Sequence, residues 1–144
     1  MKKKKEPKFT YKDNYTKCEV IDYKYGRKYV GEAYCHPDDS DFQSLITGST
    51  IAEMRAIINT MITYKNDLRI KLEALSQLYY SMNQSKKFNK ESYEAKMLFR
   101  QMNLLKQDLA VAKEQIEAYK KDLNMYMKDK DNVYKYLRKK KNNK

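Results

Sequence analysis

The sequence predicts a mostly α-helical protein, in which an N-terminal β-hairpin precedes a long antiparallel helical hairpin of coiled-coil type. Two observations lead to this prediction. Of 144 residues only three are Gly and two are Pro, while 35% are charged and 41% hydrophobic, which is typical of long helices. Apolar residues also recur at alternating spacings of three and four over two long segments, the pattern of a left-handed supercoiled seam.

The net charge of +12 is concentrated at the two ends of the chain. Residues 1–8 carry five Lys and one Glu, and residues 135–144 carry five Lys and one Arg, which leaves +2 for residues 9–134. Basic ends of this kind are solvated, or bind nucleic acid weakly and without sequence preference. We expect flexible basic tails at residues 1–14 and 139–144.

Residues 15–48 are expected to form a β-hairpin followed by a short helical turn. Aromatic and β-branched residues flank Gly26, which predicts a turn between two strands there. The helical turn would lie near residues 42–46 and end at Gly48. Because an isolated hairpin is only marginally stable in water, we expect it to rest on the helices or on a second copy of the chain.

The antiparallel helical hairpin is expected over residues 49–138. Thr50 and Glu53 match a capping box, which predicts the start of the first helix. A polar loop at residues 83–90 separates the two helices and makes them antiparallel. The first seam consists of Ile51, Met54, Ile58, Met61, Lys65, Leu68, Leu72, Leu75, Tyr79 and Met82. The second consists of Ala95, Leu98, Met102, Leu105, Leu109, Ala112, Ile116, Tyr119, Leu123, Tyr126, Lys130, Val133 and Leu137.

The unequal lengths of the two helices predict self-association. Residues 50–82 would form a helix of about 50 Å and residues 91–138 one of about 70 Å, so the second would extend about 20 Å beyond the first. Further apolar residues beside both seams suggest that more than two helices pack together. We therefore expect a dimer or a larger even-numbered oligomer. The extension would carry Leu123, Tyr126, Val133 and Leu137.

The sequence has no recognisable catalytic or metal-binding set. His36 is the only histidine, and Cys18 and Cys35 form no C-x-x-C pair, so a catalytic triad or a zinc site lacks the residues it needs. The aspartates at 38–41 lack the Gly and the distal Glu of an EF-hand loop. We expect a non-enzymatic protein without cofactor or metal. No apolar run reaches the roughly 18 residues of a membrane span, so a cytoplasmic location without a membrane partner is expected.

The junction between the hairpin and the first helix carries a distinctive pattern. It reads Gly31-Glu-Ala-Tyr-Cys-His-Pro-Asp-Asp39 and then Gly48-Ser-Thr-Ile-Ala-Glu-Met-Arg-Ala56. The pattern A-x-C-x-P-x-D followed by G-x-x-[IL]-A-x-x-R-A resembles small phage proteins, and is similar to the Thoeris anti-defence sponge proteins. The resemblance covers about 25 of 144 residues. It implies a phage or mobile-element protein in the host cytoplasm that sequesters a cyclic ADP-ribose-type signal without degrading it.

The same junction residues are compatible with anion binding. If the first helix begins near Thr50, its free N–H groups favour a phosphate there, and Arg55 one turn later would clamp it. Arg27 at the hairpin turn would add a second positive charge, and Tyr25 or Tyr29 would stack on a base. In the alternative interpretation, Arg55 pairs with one of the nearby aspartates and only fixes the junction.

Two other functions are open on the sequence. One is a helical inhibitor or scaffold that contacts a host protein, and the other is a nucleic-acid-binding accessory protein that uses its basic tails. A scaffold would tolerate Arg55→Gln, whereas a ligand site needs the charge. A polyanion binder would show a steep dependence on salt.

Overall fold

The computed structural model describes residues 6–22, 26–35, 45–85 and 89–142. Their strands form an antiparallel sheet in the order β1-β2-β3, and two long helices pack against each other as an antiparallel hairpin. The predicted fold class is therefore confirmed. The elements are β1 (Lys8–Lys12), β2 (Tyr15–Asp22), β3 (Arg27–Tyr34), α1 (Leu45–Asn83) and α2 (Tyr93–Asn142).

Strand β1 lies within the segment for which the sequence predicts a flexible tail. Its last residue, Lys12, pairs with Tyr15 of β2, so residues 13–14 form a two-residue hairpin turn. Asp13 has a φ of 25°, a conformation that Asp tolerates better than most residues. On the inner side of β1 the rings of Phe9 and Tyr11 stack with centroids 6.2 Å apart. The alternating aromatic residues and the Asp-Asn turn therefore favour a strand here, despite the positive charge of the preceding lysines.

The second hairpin forms where the sequence predicts it. Asp22 pairs with Arg27, and Gly26 has a φ of 65°, a left-handed conformation that favours glycine. Across the sheet, the register places Phe9, Cys18 and Gly31 in one row on the face that packs against α1. Cys18 is fully buried there.

Helix α1 begins at Leu45, five residues before the predicted start at Thr50. The Thr50 hydroxyl donates to the carbonyl oxygen of Ile46 at 2.7 Å, so Thr50 is an interior helical residue rather than an N-cap. Gly48 lies inside the helix, where a Cβ atom would be 2.6 Å from the Oγ1 atom of Thr16. Gly48 therefore permits close packing of the helix on the sheet instead of ending a helical turn. The predicted turn at 42–46 lies mostly outside the described residues.

Helix α2 continues to Asn142, into the segment predicted as a basic tail over residues 139–144. Lys139, Lys140 and Lys141 occupy its last turn. Positive side chains at this position interact favourably with the negative end of the helix dipole. The C-terminal basic residues therefore stabilise the end of a helix.

The chain divides into two compact units. The first, here called the sheet unit, comprises Met1–Thr60 and Glu117–Lys144, and contains the sheet with the start of α1 and the end of α2. The second, here called the hairpin unit, is Met61–Ile116 and contains the rest of both helices.

The two predicted seams are confirmed with one exception. Every seam residue is buried or half-buried except Val133, which is 54% exposed, while the adjacent Tyr134 is buried. From Leu123 to Tyr134 the buried stripe advances by eleven residues, or about 3.67 residues per turn, and not by the 3.5 of a heptad repeat. The strict heptad repeat therefore ends before Val133. The most deeply buried seam residues are Ile51, Ile58, Leu68, Ala95, Leu98, Met102, Ala112, Ile116 and Leu123.

The predicted extension of α2 beyond α1 is mostly absent. Arg55 contacts Met127 within the sheet unit, so Leu45, ten residues earlier in the antiparallel α1, lies about level with Leu137. Leu123 is accordingly buried inside its own sheet unit. The early start of α1 is the reason, and it removes the length argument for self-association.

Candidate ligand-binding groove

Helix α1 crosses β3 at very short range in the sheet unit. A Cβ atom at Gly31 would overlap the carbonyl oxygen of Ala52 and the backbone nitrogen of Ala56. Both alanines are fully buried. A glycine in the strand and two alanines one turn apart in the helix thus let the two backbones touch, which fixes the position of the side chains that follow on α1.

Two of these side chains bind the outer edge of β3. Arg55 donates from Nη1 to the carbonyl oxygen of Glu32 at 2.6 Å, and Asn59, one turn later, donates from Nδ2 to that of Val30 at 2.7 Å. Strand edges left unpaired are prone to pair with other chains. Here α1 covers the edge, because its two side chains bind alternate main-chain carbonyls that would otherwise be available to a neighbouring strand.

Beside this contact lies a groove of about 550 Å³ between β3, α1 and α2. Its volume falls within the range of small-molecule sites. Ile58 and Leu123, both buried, supply apolar surface. The charged and amide side chains of the lining are Glu32, Arg55, Asn59 and Lys120.

The groove carries a net positive charge of one, since Arg55 and Lys120 outnumber Glu32. The guanidinium of Arg55 has five N–H donors. The structure assigns one to Glu32 and a second to the Sδ atom of Met127 at 3.7 Å. Arg55 is therefore held in place and retains donors for a ligand. Lys120 is exposed on α2 and forms no ion pair with a described residue.

A tyrosine pair adjoins the groove. The Tyr34 hydroxyl donates to Oε2 of Glu32 at 3.0 Å, and the rings of Tyr15 and Tyr34 lie 4.9 Å apart. The hydrogen bond to Glu32 raises the pKa of Tyr34, and burial followed by the charge of Glu32 raises the pKa of Tyr15. Both hydroxyls are therefore protonated at neutral pH. Tyr34 lines the groove and is 68% exposed, so its ring is accessible to a planar ligand.

Of the site residues predicted from the sequence, only Arg55 lines the groove. The predicted phosphate site at a helix start near Thr50 is not formed, because α1 begins ten residues before Arg55, about 15 Å away along the axis. Tyr29 is buried against the inner face of the sheet and cannot stack on a base. Arg27 is exposed at the start of β3, outside the groove lining, and Tyr25 lies outside the described residues.

The aspartates at 38–41, the alternative partners predicted for Arg55, lie outside the described residues. The hydrogen bond of Arg55 goes to a main-chain carbonyl of β3. Tyr34, Asn59 and Lys120 line the groove but were not predicted from the sequence. Asn59 follows Arg55 by one helical turn, and this spacing could have predicted that the two side chains lie on the same face of α1. Lys120 reaches the groove only through tertiary packing, which no local pattern predicts.

In the described part of the chain, no cluster of three or more His, Cys, Asp and Glu side chains is arranged to hold a metal ion. None of the helices there combines the length and apolarity needed to cross a membrane. The chain matches no protein-family model, and no curated protein or solved structure is significantly similar to it.

Proposed function

We propose that the protein is a non-enzymatic binding protein that sequesters a small, phosphate-bearing, nucleotide-derived ligand in the groove between β3, α1 and α2. The observation that carries the proposal is the shared lining of Arg55 and Lys120 in a groove of about 550 Å³. Two cationic side chains suit a phosphate or pyrophosphate, since charge-assisted hydrogen bonds are the strongest that side chains form.

The remaining lining suits the rest of a nucleotide. Ile58 and Leu123 offer apolar contact, and the exposed ring of Tyr34 offers a surface on which a base can stack. Glu32 is an acceptor for ribose hydroxyls or an exocyclic amine. The described lining contains no Ser, Cys or His, and its one carboxylate, Glu32, accepts a hydrogen bond from the Tyr34 hydroxyl, so we assign these side chains to binding and not to turnover.

The resemblance of the junction pattern to phage anti-defence proteins suggests the biological setting. The ligand would then be a host signal of the cyclic ADP-ribose type, and its capture would silence the defence that it activates. A binding protein of this kind needs tight, stoichiometric association and no catalytic turnover. Arg55, which belongs to that pattern, lies in the groove.

Lys120→Gln tests the proposal with the least disturbance of the fold, because Lys120 is exposed and forms no ion pair with a described residue. Calorimetry with cyclic ADP-ribose-type and cyclic dinucleotide ligands should show binding weakened by about 1.5 kcal/mol, the lower end for a hydrogen bond to a charged group. Lys121→Gln, the next residue on α2 and outside the groove lining, is the matched control and should bind normally.

Arg55→Gln should weaken binding more, by about 3 kcal/mol, the upper end of the same range. Because Arg55 also bonds to Glu32, the melting temperature of this variant must be measured alongside the affinity. Absence of heat with every ligand would refute the proposal, as would equal affinity of wild type and Lys120→Gln.

A second candidate function is a helical inhibitor or scaffold that contacts a host protein or a second copy of the chain. It is favoured by apolar side chains of the hairpin unit that stay half-exposed outside the seam. Tyr64 and Leu78 lie fourteen residues apart on α1, and Leu104 and Val111 lie seven apart on α2, so each pair forms one stripe on its helix. Sedimentation at tens of micromolar, compared between wild type and Leu104→Lys, distinguishes self-association from a monomer.

A further inference from the structure

The two edges of the sheet differ in accessibility. The outer edge of β3 is covered by Arg55 and Asn59 of α1. The sheet order is β1-β2-β3, and no described strand pairs with the other edge of β1. The edge of β1 is thus open within the described part of the chain, and it spans five residues, or about 17 Å.

The hydrogen-bond pattern identifies the main-chain groups at this edge. The carbonyls of Val30 and Glu32 face away from β2, whereas the Cys35 N–H donates toward it, to the carbonyl oxygen of Asn14 at 2.7 Å. Because successive residues of a strand face opposite edges, the same alternation carries through β2 to β1. It directs the main chain of Phe9 and Tyr11 to the open edge and leaves the groups of Lys8, Thr10 and Lys12 for β2.

The side chains along the edge define its charge. Lys8 and Lys12 stand at the two ends of β1 on the outer face of the sheet, and neither forms an ion pair with a described residue. On the same face, Lys17 and Lys28 are both bound to Glu19, at 3.3 and 2.8 Å. Glu19 is the cross-strand neighbour of Lys8, but it is bound to Lys17 and Lys28 instead. Lys8 and Lys12 are therefore the positive side chains available for a partner along the edge strand.

This charge pattern selects among possible occupants. Antiparallel pairing of β1 with a second copy, centred on Thr10, would set Lys8 opposite Lys12 at both ends. Pairing centred on Phe9 would set Glu6 opposite Lys12, but it would place Pro7, which has no N–H, in a hydrogen-bonded pair with Tyr11 at both ends. Like charges directly opposite each other destabilise a strand pair, whereas opposite charges stabilise it. An acidic extended segment is favoured over a second copy of this chain.

We propose that the open edge of β1 binds an extended acidic segment of a partner protein by strand addition. The segment would place carboxylates four residues apart, opposite Lys8 and Lys12. Its two residues opposite Phe9 and Tyr11 would point to the inner face and contact these rings, of which Tyr11 is 46% exposed. The recognition pattern is therefore acidic–apolar–any–apolar–acidic, a mode distinct from ligand capture in the groove.

A peptide containing Trp-Gly-Glu-Val-Thr-Val-Glu tests the proposal by fluorescence anisotropy. The protein has no Trp, so the signal at tryptophan wavelengths comes from the peptide alone. Replacing both Glu by Gln should weaken binding roughly 2- to 30-fold, which corresponds to two cross-strand charge pairs. Replacing both by Lys should abolish binding.

Phe9→Pro tests the main-chain contact. It removes an N–H at the open edge while leaving the bonds to β2 in place, and should weaken peptide binding at least about fivefold. Phe9→Leu is the matched control, because it replaces the ring with a smaller apolar side chain and retains the N–H. This variant should bind the peptide nearly as well as wild type. If circular dichroism shows that Phe9→Pro is unfolded, the double variant Lys8→Gln and Lys12→Gln replaces it. Its loss of affinity for the acidic peptide should equal the loss that wild type shows for the peptide with both Glu replaced by Gln.

Three results would overturn the proposal. The first is equal affinity of Phe9→Pro, if folded, and wild type for the acidic peptide. The second is loss of binding when only the lysines at 2–5 are changed to Gln, which would assign the peptide to the basic N-terminus. The third is a dimer in sedimentation that Phe9→Pro converts to a monomer, which would assign the edge to a second copy of the chain.

Discussion

Gly31→Ala is expected to lower the free energy of unfolding by about 3 to 5 kcal/mol. Overpacking of a dense core costs about 1–3 kcal/mol, and here the added methyl overlaps backbone atoms of Ala52 and Ala56, which cannot rotate away. Strand β3 would have to move off α1. This movement would lengthen the hydrogen bonds from Arg55 and Asn59, each of which contributes about 1 kcal/mol.

Urea unfolding followed by circular dichroism measures this change. Gly48→Ala is the matched control, because its Cβ would meet only the Thr16 side chain and the substitution gains about 1 kcal/mol of helix propensity. We expect Gly48→Ala to cost at most about 2 kcal/mol, less than Gly31→Ala, because the added methyl displaces a side chain and not backbone atoms, and the helix propensity offsets part of the cost. A Gly31→Ala protein as stable as wild type would refute the close contact of β3 with α1.

Two further predictions concern the seam and the thiols. Leu68→Asp should lower the free energy of unfolding by at least about 3 kcal/mol, because it buries a charge in the seam. Leu104→Asp, at a half-exposed position, should lower it by under about 1 kcal/mol. Thermal unfolding of both variants distinguishes an effect specific to the seam from a general surface effect. Burial raises the pKa of Cys18 from its ordinary value of 9.0 to about 11, with smaller contributions from Glu53 and Glu19. At pH 8 a thiol reagent should therefore label Cys35 first and Cys18 only after unfolding, and simultaneous labelling would contradict the burial. Because the folded state holds the Cys18 proton more tightly, stability should fall as pH rises from about 9 to about 11, and Cys18→Ala should lack this dependence.

The helical hairpin could be predicted from the sequence because its signal is redundant. Seam positions repeat over many heptads, so a single misfit such as Lys65 or Val133 does not hide the pattern. The turn at Gly26 was equally readable, since glycine is favoured at its positive φ. Both signals are local, and neither depends on distant parts of the chain.

The start of α1 and the groove could not be predicted in this way. Thr50 and Glu53 form a genuine capping pattern, yet packing of Gly48 against Thr16 of β2 extends the helix past it. The groove combines β3 and α1 with Lys120, about sixty residues further along the chain, and no local pattern marks such a residue. Arg55 could be predicted because it belongs to the junction pattern, although its hydrogen bond to a carbonyl of β3 was not predicted.

The sheet unit is built from both ends of the chain, separated by residues 61–116. Closing a flexible loop of that length has an entropic cost of roughly 3.5 kcal/mol. A helical hairpin formed first brings the ends of this segment side by side, so little of that cost remains when the last part of α2 joins the sheet. Folding of the hairpin unit before the sheet unit is therefore the favoured order. Seam substitutions such as Leu68→Asp would then delay formation of the groove, although Leu68 is not part of its lining.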